Sequence, residues 1–141
     1  MEQRPVKQVI VMRTDLRMRK GKMIAQGAHA SLKVFLDRAQ LCFMPEDIGH
    51  PDRIRKQLVY DKTGPWHTWI EGQFTKICLQ VNNEQELVDL MDLAGQAGIP
   101  CSMIIDSGKT EFHNVPTRTC IAIGPWWSDE IDKITGHLEL L

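Results

Sequence analysis

Short apolar runs alternate with helical patterns along this chain, and that alternation rules out most folds before any single residue is weighed. Residues 7–13 (KQVIVMR), 75–81 (TKICLQV), 101–106 (CSMIID) and 118–124 (RTCIAIG) have the length and content of strands. A helical stretch over residues 21–41 follows the first, with Met23, Gly27, Ala30, Ser31, Val34 and Phe35 as its buried stripe. Its small residues Ala25, Gly27, Ala28 and Ala30 suit close packing on a sheet. After the second strand, Asn83 with Glu86 fits a capping pair that opens a helix to about residue 97. Leu87, Leu90, Met91 and Ala94 give that helix its core face, and Gly98 stands where a C-terminal glycine would. Ser128 is placed to cap a last helix that Gly136 ends, leaving residues 138–141 as a tail. Two helical crossovers imply at least three parallel strands. The link from 106 to 118 has no helical signal, so the last strand returns antiparallel. The expected architecture is α/β: a mixed four-stranded β-sheet flanked by helices on both faces, in a single domain over residues 1–141.

Residues 45–60 are less regular. Pro45 and Pro51 bracket a turn, and residues 52–58 read as a short helix. Beyond the break at Gly64-Pro65, Trp66 and Trp69 close a small aromatic cluster. The apolar runs are far short of a membrane span, and residues 1–7 lack the apolar stretch of a secretory signal. Cys42, Cys78, Cys101 and Cys120 show no close metal or redox spacing, and the last three, inside predicted strands, read as small buried hydrophobes. A cytoplasmic setting is the expectation. His50, His67, His113 and His137 have no ligand spacing, so no metal site is expected.

The net charge of −1 argues against bulk affinity for nucleic acid, but its distribution is lopsided. Arg13, Arg17, Arg19, Lys20 and Lys22 face a single acid, Asp15, within ten residues. With Lys109 they are expected to form one positive surface. A solvated basic loop explains the same cluster. In open α/β sheets ligands gather beyond the carboxyl ends of parallel strands. Two loops meet there. Residues 14–22 bring cations and a helix N-terminus, whose free N–H groups favour an anion. Residues 106–110 bring Asp106, Gly108, Lys109 and Thr110. A carboxylate there can hold or deprotonate water, and Lys22 can stabilise an oxyanion or phosphate. A strand-end aspartate is equally well a turn residue or a cap. Lys22, Gln26, His29 and Lys33 recur along one polar face of the first helix, so His29 lines the same rim or simply meets solvent. Trp126 and Trp127, after Gly124-Pro125, offer stacking surface for bases or a partly buried patch.

The residues themselves then narrow the reading. The run from 9 to 30, VIVMRTDLRMRKGKMIAQGAHA, resembles the opening of the archaeal/eukaryotic-type peptidyl-tRNA hydrolases. Residues 105–110 (IDSGKT), 119–125 (TCIAIGP) and 134–141 (ITGHLELL) resemble three later motifs of that family, in order. The resemblance implies a metal-independent, cofactor-free esterase that frees tRNA from a stalled peptide. It implies Lys22, Asp106 and Thr110 as catalytic residues, with Gln26, His29, Thr117 and Thr119 lining the substrate cleft, while Arg17, Arg19, Lys20 and Lys109 are expected from their charge alone to bind substrate at the tRNA acceptor end. It implies no membrane partner and leaves pairing of two copies open. Arg19 stands where the family prefers glycine; residues 111–116 and 45–60 also depart from its pattern. A non-catalytic RNA- or protein-binding module, or a hydrolase of another phosphate-bearing ester, are the competing readings.

Overall fold

In the computed structural model, which describes residues 3–141, the four predicted strands meet in one sheet. They are β1 (Val6–Arg13), β4 (Lys76–Val81), β5 (Cys101–Asp106) and β6 (Thr117–Trp127). β1 runs parallel to β4, while β6 lies antiparallel between β1 and β5, so the sheet is mixed as expected. It has five strands rather than four, in the order β5-β6-β1-β4 followed by a short fifth strand at the β4 edge. The fifth, β7 (Glu139–Leu140), is the C-terminal tail, which pairs with the open edge of β4. Two residues carry no readable alternation. Contacts made elsewhere hold them: Gln80 Nε2 donates to Leu140 O at 2.6 Å, and Leu141 N donates to Cys78 O at 3.0 Å.

Alternation along β1 sends Val9 and Val11 to one face and Ile10 and Met12 to the other, all nearly inaccessible. On the first face they pack with Leu87, Leu90 and Ala94 of α3 (Glu84–Gln96) and Ile131 and Ile134 of α4 (Ser128–Thr135). On the second they pack with Ala30 and Val34 of α1 (Lys20–Leu36) and Trp66 of α2 (Pro65–Ile70). The Asn83 cap is present: its side chain accepts from Glu86 N at 2.8 Å. Gly98, at φ 70°, ends the turn after α3. Ser128 does not cap α4; it is the first helical residue, because β6 runs to Trp127 and turns at once into the helix.

Three local expectations fail for identifiable reasons. α1 stops at Leu36, not near 41. Asp37 accepts from Ser102 Oγ at 2.8 Å and Arg38 donates to Cys101 O at 3.2 Å, which turns the chain across the start of β5. Residues 52–58 are not helical. Instead β2 (Gln40–Cys42) and β3 (Arg55–Gln57) form a separate two-stranded sheet. Asp47 organises it, bonded to Met44 N and to Arg55, with its carboxyl held far below the usual range by Arg55 first. Cys78 is exposed, because α1 covers β6, β5 and β1 and leaves that face of β4 open. Cys101 and Cys120 are buried as read.

Candidate active site

The turn from β1 into α1 sets the first turn of that helix beside the end of β5. Lys22 lies in this turn, and its Nζ donates to Asp106 Oδ1 at 2.8 Å and to Thr110 Oγ1 at 2.9 Å. The lysine and aspartate side chains are only 15% and 12% exposed, so solvent screens their attraction less than at an open surface. Asp106 Oδ2 accepts from Gly108 N at 2.8 Å, and Gln26 Nε2 approaches Oδ1 at 3.3 Å. The Lys22 ammonium holds the Asp106 carboxyl below the usual carboxylate range. The Gly108 N–H and Gln26 add to this, and burial opposes it.

Gly108 is required by shape. Its φ is +83°, and a Cβ there would lie 2.2 Å from Val115 O. The loop closes back on it through Asn114 N to Gly108 O at 2.9 Å. That closure brings the Phe112 ring to 5.7 Å from Lys22 Nζ. Phe112 was not evident as a site residue, since it sits in the stretch that departs from the family pattern.

The remaining expected residues divide by position. Arg17, Arg19, Lys20 and Lys109 are exposed and make no ion pair among the described residues. No acid sits in the first turn of α1 and no side chain caps it, so its positive end is not neutralised locally. The single positive surface drawn from six residues is therefore reduced to four free cations. Lys22 is paired with Asp106, and Arg13 is bound to Asp15 at 2.6 Å and to Arg118 O at 2.9 Å. His29 is exposed on the outer side of α1. Thr117 pairs with Asp106 in the β5–β6 ladder, and its hydroxyl donates to Val115 O at 2.8 Å. Gln26 and Thr119 are buried, so Gln26 does not share the exposed polar face on which Lys33 lies. Thr119 Oγ1 donates to Gln26 Oε1 at 2.5 Å.

Cys120 donates from Sγ to Gln26 O at 3.3 Å, and burial pushes its thiol up to about 12, so it stays protonated at neutral pH. It is no nucleophile there. Among the described residues no group of three or more His, Cys, Asp or Glu side chains is placed to hold a metal, and no helix is long and apolar enough to cross a membrane. A groove of about 650 Å³ lies on the other flank of α1, lined by Met23, Ile24, Leu32, Phe35, Phe74 and Cys78. It is apolar and separate from the Lys22–Asp106 pair.

A family model described as peptidyl-tRNA hydrolase PTH2 matches residues 6–141. Among curated relatives, a peptidyl-tRNA hydrolase of Methanocaldococcus jannaschii is 39% identical, over 96% of this chain and 100% of that protein. One from Haloquadratum walsbyi is 42% identical over 96% and 99%, and one from Sulfolobus acidocaldarius 37% over 96% and 100%. A solved protein of unknown function from Agrobacterium tumefaciens has a TM-score of 0.53 at 10% identity, covering 96% of this chain and 97% of its own. That likeness concerns the fold alone.

Proposed function

We propose a mechanism from the premise that this chain belongs to the peptidyl-tRNA hydrolase PTH2 family: it hydrolyses the ester between peptide and tRNA, with Lys22, Asp106 and Thr110 as its catalytic groups. The observation that carries this reading is the hydrogen-bonded trio itself. A binding module has no need of a cation, a carboxylate and a hydroxyl locked together at one strand end.

The scissile bond joins a peptide carboxyl to a ribose hydroxyl. Attack by water on its carbonyl carbon produces a tetrahedral oxyanion. Lys22, already directed to this rim, stabilises that oxygen. Asp106 at rest is a weak base, because Lys22 holds its carboxyl low. When Lys22 turns to the oxyanion, the carboxylate loses its main donor and its basicity rises as the water must give up a proton. Thr110 positions the water or holds Lys22 in its starting place. Asp106 takes a proton from the attacking water; the oxyanion then collapses, the C–O bond to the ribose breaks, and the leaving oxygen takes that proton from Asp106. No side chain at the site is paired with a base in a way that makes it a strong nucleophile, so direct attack by water is preferred to a peptidyl-enzyme. The test is release of the acyl group from an N-blocked aminoacyl-tRNA, with free aminoacyl-tRNA as control. No release under conditions in which a known hydrolase works would overturn the assignment.

Arg17, Arg19, Lys20 and Lys109 contact backbone phosphates near the acceptor end. Each neutralised phosphate releases counterions, with a slope of about −0.9 per contact on duplex nucleic acid. Three or four contacts therefore weaken binding roughly 40- to 150-fold between about 50 mM and about 200 mM salt. Titration of tRNA onto the Asp106→Ala protein at several salt concentrations reads this directly. An affinity that ignores salt would remove phosphate contact as the main attraction.

A further inference from the structure

Thr119 has no partner on β5. The ladder pairs Ile104 with Cys120 and Ile105 with Arg118, so β6 carries one extra residue at this point. That is a β-bulge, and a bulge re-aims the side chains around it. In a regular strand Thr119 and Cys120 would face opposite sides of the sheet. Here both reach the same residue of α1: Thr119 Oγ1 donates to Gln26 Oε1 at 2.5 Å and Cys120 Sγ to Gln26 O at 3.3 Å. Arg13, at the end of β1, donates to the carbonyl of Arg118 beside the bulge at 2.9 Å.

Gln26 is 2% exposed and Thr119 is 0% exposed, so they sit behind the rim on which substrate would lie. A glutamine amide has one accepting end and one donating end. Ionised Asp106 only accepts, so the end facing it must be Nε2, as found at 3.3 Å. The other end then needs a donor, and in this buried position the Thr119 hydroxyl supplies it. A flipped amide would set its oxygen against the carboxylate. We propose that Gln26, keyed by the Thr119 bulge, is a positioning residue that fixes the rotation of the Asp106 carboxylate against Lys22. Neither residue then needs to touch the substrate. The effect on turnover rests on the hydrolase reading above; the effect on Asp106 does not.

The charges around Asp106 keep the test clean. From α1, Lys22 contacts it at 2.8 Å. From β6, Arg118 is turned to Glu84 at 2.7 Å, and from β1, Arg13 is turned to Asp15 at 2.6 Å. Lys109, in the following loop, is exposed. Loss of the glutamine donor thus changes what Asp106 feels without breaking another ion pair at its carboxylate.

Four proteins decide the matter: wild type, Thr119→Val, Thr119→Ser and Gln26→Leu. Two readouts are taken on each: carbon NMR titration of the Asp106 carboxyl, and kcat and KM on N-blocked aminoacyl-tRNA. Thr119→Val and Gln26→Leu should raise the Asp106 midpoint and lower kcat roughly ten- to a hundredfold, as expected for a misplaced catalytic group, with KM within about twofold. Thr119→Ser restores the hydroxyl and should bring both readouts most of the way back. If Thr119→Val does not fold, Gln26→Leu carries the same comparison, since Leu fills the space without the amide. An unmoved midpoint and kcat in both, or a raised KM at unchanged kcat, would overturn the proposal. So would a serine variant as impaired as the valine one. A moved midpoint together with turnover indifferent to Asp106→Ala would support the relay and sink the catalytic reading instead.

Discussion

Asp106→Ala should lower turnover of N-blocked aminoacyl-tRNA by at least about a hundredfold, and Lys22→Ala by a similar factor, because each removes a charge used as the ester breaks. Both variants should stay folded. The two side chains meet at a strand end and a helix start, outside both apolar clusters. Without Asp106, Lys22 lies close enough to the surface to turn to water. Without Lys22, Asp106 keeps the Gly108 N–H and the Gln26 amide. The pH dependence separates the two. A carboxyl whose pKa is lowered stays ionised down through the ordinary range near ~3.9, so activity that needs the carboxylate is lost only as pH falls through the lowered value. Removing Lys22 takes away the largest cause of that lowering, so the acid limb of the residual activity should move up in pH. Thr110→Ala should cost less than either, since water can replace its hydroxyl. Circular dichroism checks the fold and single-turnover kinetics the rate. A folded Asp106→Ala protein with near wild-type turnover, or a peptidyl-enzyme that accumulates, would end the water-attack mechanism.

What the sequence made legible here is what depends on local pattern. The apolar runs, the Asn83 cap and the stop at Gly98 are all properties of a few consecutive residues, and they appear where expected. What it hid depends on partners distant in the chain. β7 exists because β4 has an open edge, and the β2–β3 pair because Asp47 meets Arg55. The early end of α1 follows from Asp37 and Arg38 bonding to the start of β5. The candidate site divides in the same way. Residues alone pointed to a rim with Lys22 and Asp106; the assignment of Gln26, Thr117 and Thr119 to the site came from the family resemblance. The burial of Gln26 was out of reach, because a register shift between β5 and β6 brings Thr119 to it, and no periodicity along either strand encodes that shift.

The largest stability effect should come from Trp69. This side chain is fully buried on α2, a helix of six residues and too short to hold itself without tertiary packing. Its ring stacks on Phe74 at 4.0 Å and on Phe35 of α1 at 5.7 Å, and Nε1 donates to Thr75 O at 2.7 Å. It therefore ties α2, α1 and the start of β4 together. Trp69→Ala should cost about 3–5 kcal/mol, the usual range for emptying a buried aromatic site, and lower Tm by roughly 10–20 °C in a chain of this size. Trp69→Phe keeps most of the packing and loses one donor. Thr75 O still accepts from Gln8 N at 3.0 Å, so no carbonyl is orphaned, and the cost should fall to about 1–2 kcal/mol. Trp66, its neighbour in the same cluster, behaves differently because its buried Nε1 has no partner. Trp66→Phe deletes that unsatisfied donor along with some packing, and the two effects should nearly cancel, within about 1 kcal/mol. Thermal and urea unfolding of the three proteins should rank Trp69→Ala well below Trp69→Phe, and Trp69→Phe below Trp66→Phe. Equal losses for the two phenylalanine variants would mean that the Trp69–Thr75 hydrogen bond does not hold this corner. Because Trp69 packs at the far end of α1 from Lys22, kcat of the alanine protein, measured well below its Tm, should stay close to that of the wild type.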